Sequence, residues 1–168
     1  MSIVIDGTGT ISGLSATGIS SAQTITSAQL PTGTVLQVVA ANNTLSSTTI
    51  TSTSFVSLGL TATITPKSST SKIYIMATFS MTMDGADNTQ SYVSVYRNST
   101  DLRTSGTCLA MYDTPGGDVG FSIPTSFYDS PATTSSTTYT IYGKVGSSSS
   151  QFRPRAGTDT IVLIEVAA

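Results

Sequence analysis

The sequence contains no histidine and no tryptophan, one cysteine (Cys108) and one glutamate (Glu165). Without His there is no imidazole general base, no Ser-His-Asp or Cys-His nucleophile system, and no His-based metal site. A single Cys excludes an intrachain disulfide framework and a Cys-rich zinc or iron–sulfur centre. Charge is scarce too. Only 10% of the 168 residues are Asp, Glu, Lys or Arg, against about 25% in an ordinary soluble domain. A net charge of −2 and a pI near 4.7 leave no clustered basic footprint, so no nucleic-acid partner is expected. Long apolar runs are also missing. Residues 7–66 hold no charge at all, yet Ser, Thr, Gly and Asn interrupt every apolar stretch well before the ~20 residues of a membrane-spanning helix. No membrane insertion is expected, and residues 1–7 lack the basic start and apolar run of a secretory leader.

What fills the space is hydroxyl. Ser (28) and Thr (31) together make up 59 of the 168 residues. Ser-rich polar chains often stay disordered, because they bury too little to offset their ordering entropy. Here hydrophobic residues reach 38% and the mean hydropathy is +0.16, while the net charge is small. Thr is β-branched and suits strands, so the composition fits an all-β protein.

The charges divide the chain. Residues 1–66 carry only Asp6; the remaining 102 positions carry all seven basic residues and the other eight acids. In the first 32 residues Ile11, Leu14, Ile19, Ile25 and Leu30 are spaced by three to six, with glycines between. That is neither a helical stripe nor strand alternation. Residues 1–32 therefore read as an extended segment that is disordered alone and ordered by sister chains or by a docking partner, with Ile3, Ile5, Ile11, Leu14 and Ile19 as its candidate docking residues; the alternative is a plain flexible tail.

Residues 33–168 read as one β-domain. Strands are expected at 35–41, 48–53 and 55–65, the last broken at Gly59. Residues 72–83 are the clearest element: Ile73, Ile75, Ala77, Phe79, Met81 and Met83 alternate with Tyr74, Met76, Thr78, Ser80 and Thr82. A turn at 84–88 leads to a returning strand at 91–97. Further strands are expected at 107–112 and 119–123, with Pro124 ending or bending the run, then at 126–129 and 137–145. An exposed bend is expected at 152–154. The dense apolar run 159–166 suggests a central strand covered on both faces. Eight to ten short strands with regular turn signals give an antiparallel sandwich of jelly-roll type.

No motif for chemistry completes itself. Asp84, Asp87 and Asn88 offer oxygens for Ca²⁺, but Asp, Gly and Asn are also ordinary hairpin residues, and no metal is assigned. Asp113 and Asp118 around Pro115-Gly116-Gly117 read the same way. Ser69-Thr70-Ser71-Lys72 has the S-x-x-K spacing, but it enters a strand, where Lys does not return to Ser. A glycan depolymerase needs two carboxylates across a cleft, and nearly all the Asp fall in expected turns. Cys108 reads as a small buried hydrophobe. No cofactor and no enzymatic activity are expected. Tyr112, Tyr128 and Tyr142 combine an apolar ring with a polar tip and suit either sugar and epitope contact or coverage of the sandwich.

Residues 11–39 (ISGLSATGISSAQTITSAQLPTGTVLQVV) are similar to the low-charge segment preceding the distal domain in tail fibres of tailed bacteriophages. Residues 60–75 (LTATITPKSSTSKIYI), 127–139 (FYDSPATTSSTTY) and 161–166 (IVLIEV) resemble the sandwich domain of such fibres. The resemblance implies a virion structural protein, assembled in the host cytoplasm, forming a homotrimer that docks on other virion proteins such as a tail adaptor, nozzle or baseplate. An uncharged N-terminal half suits burial between subunits. No long shaft is present, so the expectation is a short tail fibre attaching the virion to a host glycan or protein. Asp84, Asp87, Asn88, Asp113, Asp118, Arg153 and Arg155 are its candidate receptor-facing loop residues. The alternative is a capsid decoration or head-fibre protein that stabilises the shell.

Overall fold

The structure, a computed structural model, describes residues 4–5, 11–12, 30–43, 49–85, 90–103, 109–112, 119–147, 150–154 and 159–168. The chain falls into two compact units, residues 1–30 and 31–168. In the first, β1 (Val4–Ile5) pairs antiparallel with β2 (Ile11–Ser12), and Ile5 lies opposite Ile11.

The second unit is all-β among its described residues. Its strands are β3 (Val35–Asn43), β4 (Val56–Ile64), β5 (Lys72–Gly85), β6 (Gln90–Arg97), β7 (Thr100–Asp101), β8 (Leu109–Tyr112), β9 (Val119–Asp129), β10 (Thr137–Val145), β11 (Ser150–Pro154) and β12 (Asp159–Val166). One sheet runs β4-β10-β6, with β7 and β8 sharing the far side of β6. The other runs β9-β5-β12-β3, with β11 continuing the line of β12 along β5. Every pairing in this unit is antiparallel, and one set of them is nested: β3 with β12, β4 with β10, β5 with β9, β6 with β7 and β8. A ribbon of four strands runs out, returns against itself, and is wrapped alternately into two sheets. That is the jelly-roll arrangement, and it gives the expected sandwich.

Alternation explains the core. On β5 the side chains of Ile73, Ile75, Phe79, Met81 and Met83 are fully buried, while Tyr74, Met76 and Thr78 point outward. Leu60, Ile64, Val93, Val95, Tyr139 and Ile141 meet them from the opposite sheet, and Ile161 and Leu163 complete the layer from β12. Burying a side chain of this size stabilises the fold by about 1.5–3 kcal/mol.

Several expectations are corrected. Gly59 does not break its strand. β4 passes through it with a bulge, three residues (58–60) lying opposite Ile141, and Gly59 takes φ +83. Positive φ is available to Gly without steric cost. Pro124 does not end its run: β9 spans 11 residues and continues through it to Asp129, because among the described residues β9 is an edge strand, where a missing N–H is tolerated. The bend expected at 152–154 is strand, paired with Met81–Met83 of β5. Residues 51–55 form no strand, although Ile50 enters the core. Finally, β12 is central, between β5 and β3, but it is covered on one face only. Asp159, Ile161, Leu163 and Glu165 are buried and the residues between them are half-exposed.

Candidate functional site

Three arrangements in the sandwich bring polar or aromatic chemistry together. The first is a buried tether between the sheets. Arg97 ends β6 and its Nη1 donates to both carboxylate oxygens of Asp129, each at 2.9 Å. Asp129 ends β9 on the other sheet. The Tyr139 hydroxyl, from β10, donates to Asp129 Oδ2 at 2.7 Å. Two donors from one sheet thus satisfy a carboxylate that is only 8% exposed. Burial, then the hydrogen bond to Asp129, pushes the Tyr139 hydroxyl pKa far above its ordinary value. The group is locked as a neutral donor, a structural role rather than an acid–base one.

Glu165 makes a second buried knot. It is fully buried; Oε1 accepts from the Lys67 backbone N–H at 2.7 Å and Oε2 from Gln37 Nε2 at 2.5 Å. Gln37 Nε2 also donates to the Thr65 carbonyl at 2.8 Å. The lone glutamate therefore fastens β3 and β12 to the turn that follows β4.

The third arrangement is the pair of outer faces, which differ sharply. On the β4-β10-β6 sheet, Thr61 pairs with Thr140 (Oγ1···Oγ1 3.0 Å) and Thr63 with Thr138 (2.8 Å). Beside this hydroxyl ladder Tyr96 and Tyr142 stack with centroids 3.9 Å apart, and Phe55 tilts against Tyr96 at 6.1 Å. Lys144 Nζ lies 5.0 Å from the Phe55 ring centroid and 5.1 Å from that of Tyr92, within cation–π range. These rings are half-buried.

The β9-β5-β12-β3 sheet presents two mostly apolar rows on its outer face. Cross-strand register sets Val38, Ile164, Tyr74 and Tyr128 in one row, and Ala40, Val162, Met76 and Ser126 in the next. Val38 is 58% exposed, Tyr128 54% and Met76 46%. Val35 and Val166 pair at the rim. The row beyond, Asn42, Thr160, Thr78 and Pro124, is mostly polar.

The residues singled out from sequence fare differently. Arg153 lies on β11 opposite Thr82 and is half-buried. Asp84 lies on β5 opposite Gln151 by its backbone. Asp87, Asn88, Asp113, Asp118 and Arg155 lie outside the described residues, as do Ile3, Leu14, Ile19 and Cys108. Tyr142 is in the aromatic stack and Tyr128 on the opposite sheet's outer face. The tether escaped sequence reading because its three members come from three strands. The apolar outer face did leave a trace, since Tyr74 and Met76 occupy the polar phase of the β5 alternation.

No protein-family model matches the sequence, and no curated protein is significantly similar to it.

Proposed function

We propose that the chain is a non-enzymatic structural protein of a tailed-bacteriophage virion, a short tail fibre that works as a homotrimer and attaches the particle to the host surface. The resemblance of residues 11–39, 60–75, 127–139 and 161–166 to tail-fibre segments supplies the virion context. The observation that carries the adhesive role is the outer face of the β4-β10-β6 sheet. Tyr92, Tyr96, Tyr142 and Phe55 lie there beside the Thr61, Thr63, Thr138 and Thr140 hydroxyls. Tyrosine rings give rigid amphipathic contact area, and small hydroxyls give adaptable hydrogen bonds, the combination used by recognition surfaces. Weak contacts of this kind gain strength from repetition across copies.

Antibody labelling of intact virions tests the assignment. Signal at the tail is expected; signal at capsid vertices or faces overturns the tail-fibre reading in favour of a capsid decoration protein. Purified protein should also slow adsorption of the phage to its host. The double variant Tyr96→Ala/Tyr142→Ala should need about tenfold more protein for the same block, since truncating recognition aromatics commonly removes 1 kcal/mol or more.

A further inference from the structure

We propose that the outer face of the β9-β5-β12-β3 sheet, centred on Val38, Ile164, Tyr74 and Met76, is the surface on which copies of this chain meet. The inference rests on the assembled state proposed above and names the surface that would hold it.

The chain supplies its own control. Where a sheet of this protein faces solvent it can use threonine, and the β4-β10-β6 sheet does so at Thr61, Thr63, Thr138 and Thr140. In two adjacent outward rows of the other sheet it uses Val38, Ile164, Tyr74 and Tyr128, then Ala40, Val162 and Met76, with Ser126 the one small polar residue among them. The fold does not need them there. The inner face of the same strands is already filled, with Ile73, Ile75, Ile161 and Leu163 at 0% exposure. Apolar side chains left exposed to this degree (Val38 58%, Val35 54%) are stabilised only when something covers them.

Charge and size identify what covers them. The outward rows through Val38 and Ala40 carry no ionisable side chain other than the tyrosine hydroxyls, and Lys72 stands at one corner, its ammonium donating to Ser130 Oγ at 2.7 Å. A neutral face meets its own copy without like-charge repulsion, and it offers no charge for a foreign partner to complement. With strands about 4.8 Å apart and same-face residues about 6.7 Å apart, four strands and three rows span roughly 20 Å by 20 Å. That is roughly half of the ~800 Å² each partner contributes to a stable interface. The patch is thus an apolar centre, and the polar row of Asn42, Thr160 and Thr78 supplies rim, as in ordinary protein–protein interfaces. Tyr74 and Tyr128, directly opposite in register, are anchors of the type that dominate such centres.

Native mass measurement of the 168-residue chain tests this surface without phage or host, so failure of the virion assignment leaves its outcome intact. The wild type should run as a multiple of 17.3 kDa. A mass of three chains supports both this surface and the trimer; a mass of two supports this surface and replaces the trimer. Val38→Glu/Ile164→Glu should give monomer, raising the concentration for half-assembly by about 100-fold or more, because two unpaired carboxylates would be buried. Val38→Thr/Ile164→Thr keeps β-branching and therefore the strand. If the first variant loses its circular dichroism, the second should still raise that concentration by about tenfold, as apolar contact is lost. A monomeric wild type, or folded variants that assemble like wild type, overturns the proposal.

Discussion

Tyr139 and Asp129 show how one residue can carry a burden set by its neighbours. The hydroxyl lies between sheets and donates to a buried carboxylate that Arg97 also holds. Tyr139→Phe keeps the ring volume and removes only that donor. The loss should be about 1.5–3 kcal/mol, the range for a hydrogen bond to a charged group, measured by chemical denaturation at neutral pH. The same hydroxyl gives the fold an alkaline limit. Its pKa is raised in the folded state, chiefly by desolvation, while an unfolded tyrosine ionises near pH 10. Above about pH 10 the unfolded chain therefore binds fewer protons than the folded one, and stability falls as pH rises. Below about pH 10 that contribution is fully present. Thermal melts between about pH 9 and 11.5 should show Tyr139→Phe with a shallower decline than wild type; parallel curves would contradict the linkage.

At the scale of the element, β4 and β9 each contain a residue that reads as a breaker and is not one. Gly59 sits in a bulge with positive φ, and a Cβ there would meet nothing within 4 Å. Its substitution is therefore a purely conformational test. Gly59→Val should destabilise by about 1–3 kcal/mol, the range for a non-Gly residue held in the left-handed region, and lower Tm by several degrees. An unchanged Tm would mean that the bulge relaxes into regular pairing. Pro124 is tolerated because, among the described residues, β9 has a partner on one side only, β5. Periodicity identified β5 and β10 correctly from sequence because each has one buried and one outward phase. It was misleading for β12. Val162, Ile164 and Val166 fill the outward phase with apolar residues, so the run looks covered on both faces when one is open.

At the scale of the whole molecule, nesting makes the ends of the domain neighbours. β12, the last strand, lies between β5 and β3, and Gly33 and Ala167 exchange contacts at its end (Gly33 N–H to Ala167 carbonyl 2.8 Å, Ala167 N–H to Thr34 carbonyl 2.8 Å). Deleting residues 159–168 would strip both β3 and β5 of a partner and remove Ile161, Leu163 and Glu165 from the core. The truncated chain should lose its cooperative thermal transition, whereas a residual sharp melt would show that the sheet closes without β12. Because each nested pair joins distant segments, refolding of the intact chain should fall in the slow, millisecond-to-second range of all-β domains. The two outer faces then divide the work proposed above, a threonine and tyrosine face for adhesion and an aliphatic face for assembly.

The sequence by itself determined that this chain is all-β, that it has no imidazole and that it has no pair of cysteines for an intrachain disulfide, and it located most strands of residues 33–168. Alternation with period two is written locally and needs no knowledge of neighbours. It also held part of the apolar outer face in view, as Tyr74 and Met76 in the otherwise polar phase of β5. Only the tertiary structure decided which strands adjoin, and with that everything that depends on adjacency. Arg97, Asp129 and Tyr139 become one tether, Glu165 becomes the clasp of the turn after β4, and Val38, Ile164, Tyr74 and Tyr128 become one surface. Strand order is set by long-range burial across the whole domain, and no short stretch of sequence records which distant strand will lie beside it.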